Sequence, residues 1–111
     1  MESPQKMREE RAARNQLLFR TVNEQIMSMT ERFRAELSDM DLVCECADAS
    51  CTGTIRLRVD EFAQLEKAGN AFLVLHGHED GRVEDVIFQH DGYVVVRKRG
   101  HAADMVEAAE Q

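Results

Sequence analysis

Leu42-Val43-Cys44-Glu45-Cys46-Ala47-Asp48-Ala49-Ser50-Cys51 contains every cysteine of the chain, three thiols within eight residues. Leu42 to Cys46 reads as a short strand, and strand alternation puts Cys44 and Cys46 on one face. Ala47 to Gly53 is a turn of small residues that can fold back and present Cys51. Three thiols and one imidazole make the donor set of a closed, tetrahedral Zn2+ site. The spacing is Cys-x-Cys-x4-Cys rather than a pair of Cys-x-x-Cys knuckles, so a fourth ligand must come from elsewhere in the chain. His78 is the choice for it, because Gly77 lets its loop approach closely. His76 is the alternative and His90 is more distant. The competing readings are two small buried thiols with Cys51 incidental, and a redox site in which Cys51 is one partner of a disulfide.

Working outward, Thr54 to Val59 alternates as a half-buried strand, with Ile55, Leu57 and Val59 on one face and Arg56 and Arg58 on the other. Asp60 is the expected N-cap of a helix over Glu61–Ala68 that stops at Gly69. Ala71-Phe72-Leu73-Val74-Leu75 is a continuous apolar run, as in a central strand. Val83–His90 and Tyr93–Arg97 form a hairpin around Asp91-Gly92, with Tyr93 on its apolar face. Upstream, residues 10–40 carry a heptad stripe of Phe19, Ile26, Phe33 and Met40, with Val22 and Met29 between them and Leu18 and Leu37 widening it. Asn15 and Glu36 are its polar exceptions. This coiled-coil-like helix spans roughly 45 Å, against about 25 Å for a compact core of this size, so part of the stripe overhangs and offers a surface.

These elements predict an α+β fold: a long N-terminal helix packed on a small, mostly antiparallel sheet with one short helix, stapled by zinc. The expected organisation is a disordered lead-in over 1–9, one domain over 10–99 (helix 10–40, sheet core 42–99) and a flexible tail over 100–111. So small a core is marginal on apolar burial alone, and a metal staple fits that need.

The chain has 111 residues and a net charge of -7, from 21 acidic and 14 basic residues. That balance repels phosphate backbones and disfavours general nucleic-acid or anionic-membrane binding. Met1-Glu2-Ser3-Pro4-Gln5-Lys6 leads into no apolar run, and no stretch approaches the ~18 apolar residues of a membrane span. The expected location is the cytoplasm, where a tight cysteine cluster binds metal rather than forming disulfides. No phosphate loop, nucleophile elbow or His-Glu-x-x-His helix is present. A catalytic zinc with Glu79 or Glu45 as base is disfavoured, because three thiolates make the ion a poor Lewis acid. The expected role is non-enzymatic: an interaction or regulatory module with structural Zn2+ on Cys44, Cys46, Cys51 and His78. The long helix would meet a protein partner or form a homodimer. The runner-up is a thiol-based redox or metal sensor that releases zinc on oxidation.

Arg14-Asn15-Gln16, Phe19-Arg20-Thr21-Val22-Asn23-Glu24, Val43-Cys44-Glu45-Cys46-Ala47-Asp48 with Cys51, Gly77-His78-Glu79 and Asp91-Gly92-Tyr93-Val94-Val95-Val96 resemble a family of short actinobacterial proteins. The resemblance covers residues 10–98. It implies that Gly77-His78-Glu79 joins the cysteines in one constellation, which favours His78 over His76. It brings no reaction with it. His76 departs from the pattern, which more often has proline before the glycine.

Overall fold

The computed structural model of the chain describes residues 4–33 and 39–110. Helix α1 covers Pro4–Phe33, and strands β1 (Asp39–Val43) and β2 (Thr54–Arg58) follow. Helix α2 (Val59–Ala68), strands β3 (Ala71–Val74), β4 (Glu84–His90) and β5 (Tyr93–Lys98), and helix α3 (Gly100–Glu110) complete the order. β1 and β2 make a two-stranded sheet, and the second sheet has the order β3-β5-β4. Every pairing is antiparallel. The architecture is the expected α+β fold, with the strands divided between two small sheets instead of one. The molecule measures 49 × 29 × 24 Å, and its long axis is close to the ~45 Å of a 30-residue helix. Among the described residues, no helix is long and apolar enough to cross a membrane.

The segment after β1 joins the two sheets. Cys44 N–H donates to Gly53 O at 3.0 Å, continuing the β1–β2 ladder, and Glu45 N–H donates to Leu73 O on β3 at 2.7 Å. The chain therefore leaves one sheet and enters the other within two residues. Both flanks of this crossing are covered, and Cys44, Glu45 and Cys46 are all buried. The core beside it contains Leu42, Ile55, Leu57, Phe62, Phe72 and Val96.

Several boundaries differ from the sequence reading. α1 begins at Pro4, so residues 4–9 are helical instead of a disordered lead-in; proline is well tolerated in a first helical turn, where its missing N–H is needed least. Met40, expected to end the helix, lies in β1 opposite Leu57. α2 begins at Val59, and Glu61 Oε1 accepts the Arg58 N–H at 3.1 Å, so the helix start is tied by Glu61 rather than capped by Asp60. Residues 100–110 form α3 instead of a flexible tail. Ala102 and Val106 are buried, and Glu110 accepts the Asn70 N–H at 2.9 Å. The expected Glu36 and Leu37 positions lie outside the described residues.

The largest difference concerns the face of α1. Its core side is Ala13, Gln16, Arg20 and Asn23, at helical spacings of three and four. The apolar stripe turns away: Val22 is 37% exposed, Met29 63% and Leu18 61%. Phe19 is half-buried, and Ile26 is partly buried against the core. The physical reason is Glu45, which is 0% exposed. A carboxylate in the interior needs charge and hydrogen-bond partners, and the polar side of α1 supplies the charge and most of the donors. Arg20 Nε donates to Glu45 Oε2 at 2.6 Å and Arg20 Nη2 to Oε1 at 2.9 Å. Asn23 Nδ2 donates to Oε2 at 3.0 Å, and the Leu73 N–H to Oε1 at 2.8 Å. The Arg20 guanidinium also lies 4.9 Å from the Phe72 ring centre and 5.3 Å from that of Phe62, in the range of cation–π attraction.

Gln16 links this knot to a second one. Its Nε2 donates to Glu45 O at 3.0 Å and to Glu84 Oε2 at 2.7 Å. Lys98 Nζ lies 2.8 Å from the same Glu84 oxygen, with both side chains buried, as a charge pair without good hydrogen-bond alignment. Asn23 also works on β1, where its amide accepts the Val43 N–H and donates to Val43 O.

Two outcomes test this account. Arg20→Met leaves the Glu45 charge buried without its main partner, and urea unfolding should register a loss of about 3–5 kcal/mol. The second concerns Glu66 on α2. Burial, then the hydrogen bond and charge of Glu24 on α1, push its carboxyl from 4.5 up to about 7. The folded state therefore binds this proton more tightly than the unfolded chain does. Its contribution is complete below the unfolded value and is lost as pH rises through the folded one. Stability of the native protein should fall relative to Glu66→Gln between pH 5 and pH 8; parallel profiles would refute the assignment.

Candidate metal centre

Two turns face each other at the end of β3. In the first, Cys51 N–H donates to Asp48 O at 3.0 Å, closing a β-turn over Asp48-Ala49-Ser50-Cys51. Asp48 Oδ1 accepts the Ser50 N–H at 2.9 Å and the Ser50 hydroxyl at 2.6 Å. Those bonds hold its carboxyl below the usual range. This turn returns Cys51 towards the strand-like segment that carries Cys44 and Cys46. Gly53 follows it in close contact with the Leu75 side chain, where any Cβ would collide with Leu75 Cδ1.

The second turn runs from Leu75 to His78. His78 N–H donates to Leu75 O at 3.0 Å, and Gly77, at the third position, has φ +83°. A turn of this form needs a positive φ there, which glycine adopts without strain. The reversal aims the two histidines differently. His78 swings back to the cysteines, with Nδ1 3.7 Å from Cys44 Sγ and 3.6 Å from Cys51 Sγ. His76 Nε2 lies instead 2.6 Å from the carbonyl of His90, to which it donates. His90 stacks on Tyr93, with ring centres 4.6 Å apart. Neither His76 nor His90 therefore competes for the cluster.

Cys44 Sγ, Cys46 Sγ, Cys51 Sγ and a His78 ring nitrogen lie within 4.8 Å of one another. A tetrahedral ion with zinc-like bond lengths separates sulfur and nitrogen ligands by roughly 3.6 Å and two sulfurs by roughly 3.8 Å. The two His78 distances match the first spacing. The four side chains can hold a metal ion. Cys44 and Cys46 are buried, Cys51 is half-buried and His78 is exposed.

Electrostatics sets the terms for such an ion. Burial pushes the Cys44 thiol up to about 12, against a hydrogen bond from the Leu75 N–H at 3.3 Å, and the neighbouring thiols add to the rise. Burial likewise raises Cys46. Without a cation, burial favours the protonated thiols of Cys44 and Cys46. A cation must displace those protons, so retention weakens in acid.

From the sequence, Glu45 is a disfavoured candidate base beside the thiols. In the structure its carboxylate points away from the cysteines into the Arg20–Asn23 knot, fully paired, and so is unsuited to that role. Arg20, Gln16 and Asn23 were not singled out as site residues. The signal was present as a polar helical face on the side of α1 away from its apolar stripe, together with a carboxylate between two small buried thiols.

Comparisons with protein-family models, with curated proteins and with solved structures find no match to the chain.

Gly77→Ala tests the second turn. A Cβ at positive φ costs about 1–2 kcal/mol, and the relief is to open the turn that aims His78. Metal retention against a chelator should fall in Gly77→Ala and stay unchanged in His76→Ala. Equal retention in both would refute this account.

Proposed function

We propose that Cys44, Cys46, Cys51 and His78 bind Zn2+ as a structural ion, and that the protein is a non-enzymatic interaction or regulatory module. The observation that carries this reading is the convergence of three thiols and one imidazole within 4.8 Å. Thiolate-rich sets select Zn2+ over Mg2+ or Ca2+, which prefer oxygen. Three thiolates and a neutral imidazole leave the bound site near -1, and the Leu75 N–H pointing at Cys44 Sγ offsets part of that charge. Four protein donors fill a tetrahedron and leave no place for substrate, which favours a structural ion over a catalytic one. The outward side of α1, with Leu18, Val22 and Met29 exposed, is the surface for a protein partner. The residues that carry the resemblance to the actinobacterial family include Gln16, Arg20, Asn23, Glu45, the cysteines and His78. Their meeting in one region supports extending the site to that family.

A second reading has its own support. Cys51 is half-buried and His78 exposed, so oxidants reach one edge of the site. Two thiolates give two electrons to hydrogen peroxide, which takes two protons from solvent and leaves as two waters, while an S–S bond forms between Cys51 and a neighbour and the ion is released. Glu45, which holds α1, lies between two of the ligands, so loss of the ion loosens the anchor of the helix.

Elemental analysis of the purified protein beside His78→Ala and Cys46→Ser decides the first reading. One equivalent of zinc is expected, reduced in both variants, with a marked loss of melting temperature in Cys46→Ser, because metal binding in such sites is folding free energy. No metal in the native protein, or an unchanged melting temperature, would overturn it. Mild peroxide separates the two readings: a structural site keeps its zinc, whereas a sensor releases it with loss of helix packing.

A further inference from the structure

β4 is the outer strand of the order β3-β5-β4, and among the described residues its far edge pairs with no other strand. It is also unusually apolar for an edge. Val86 is 41% exposed, Ile87 42% and Phe88 53%. A bulge between Val86 and Phe88 leaves Ile87 without a partner on β5 and turns Ile87 and Phe88 to the same side. There they border a groove of about 320 Å³ against α2, lined also by Leu57, Leu65, Tyr93 and Val95. Exposed edges in soluble proteins are usually blunted with lysine, proline or inward charge. This edge carries none of these between Val86 and Gln89, and a bulge alone protects it.

We propose that β4 is an interface for a second copy of this chain, joined edge to edge in antiparallel pairing about the bulge. An open strand edge accepts a strand, because only extended backbone satisfies its row of N–H and C=O groups. The side-chain order of β4 is self-complementary in the antiparallel sense. Glu84-Asp85 stands at one end, Val86-Ile87-Phe88 in the middle and Gln89-His90 at the other. A two-fold axis near Ile87 sets the apolar triplets of the two copies together. It also brings the acidic end of each strand beside the Gln89-His90 end of its partner. Parallel in-register pairing would oppose Asp85 to Asp85. The exposed carboxylate is Asp85, 3.6 Å from Arg99 Nε, since Glu84 is buried with Lys98. The pairing creates one six-stranded sheet and joins the two apolar grooves across the axis.

This interface is separate from the outward side of α1, so the two surfaces are tested apart. Sedimentation of the full-length, metal-loaded protein across a concentration series into the high micromolar range should show a dimer. Ile87→Lys, which puts a charge on the edge, should weaken self-association at least tenfold with an unchanged circular dichroism spectrum. The double variant Leu18→Glu, Met29→Glu on α1 should leave it intact. Hydrogen exchange of the native protein gives a readout without mutation, with the amides of 84–90 slowing as concentration rises. A monomer throughout the series overturns the proposal, as does a dimer that survives Ile87→Lys but is abolished by the α1 variant. Protection of those amides only by a strand from another protein also overturns it.

Discussion

The structure depends on one buried carboxylate. Glu45 has no exposure to solvent, and its two oxygens accept from Arg20, Asn23 and the Leu73 backbone. An ionised carboxylate placed in an apolar interior is so unfavourable that the fold must be arranged to complete its shell. That requirement selects which side of α1 turns inward, docks the crossing segment on β3, and sets Arg20 against Phe62 and Phe72. Buried ion pairs often add little net stability compared with apolar packing, yet removing one partner is costly. The role of Glu45 is therefore to specify the docking of α1 more than to drive folding.

The same residue connects the helix to the cysteine cluster. Cys44 and Cys46 are its immediate neighbours, and extended geometry sends their side chains to the face opposite its own. One face of a three-residue segment thus carries two thiols, and the other carries the anchor of α1. Any ion held by the thiols fixes the backbone of Glu45, and the Arg20 knot in turn positions the thiols. The two features are mechanically one. The four side chains that can hold an ion therefore lie at the place where two small sheets and a long helix meet.

Much of this was legible in the sequence. The strands at Thr54 and Ala71, the hairpin at Asp91-Gly92, the stop at Gly69 and the α+β class follow from alternation and turn chemistry, which act over a few residues. The three thiols Cys44, Cys46 and Cys51 were readable as a group that can hold an ion from their spacing, and His78 as its companion from the glycine before it. The heptad stripe of α1 was real as a pattern and misleading as a guide to the core. Periodicity reports that a helix has two faces and assumes that the apolar one goes in. Here the demand of Glu45 brings Gln16, Arg20 and Asn23 inward beside Ala13, while Leu17, Ile26 and Met27 are only partly buried against the core. α3 was missed for a related reason: its short run of Ala and Glu has little amphipathic contrast, and its place comes from the burial of Ala102 and Val106 and from the contact of Glu110 with Asn70.

By itself, the sequence determined the local elements, the thiol cluster and the absence of a readable catalytic motif, because each depends on neighbours along the chain. Only the tertiary structure decided the orientation of α1, the pairing of Glu45 with Arg20 and the exposure of β4. It also separated His78 from His76. These depend on groups brought together from positions 25 to 68 residues apart, where the cost of burying a charge and the direction of a single turn outweigh any local preference.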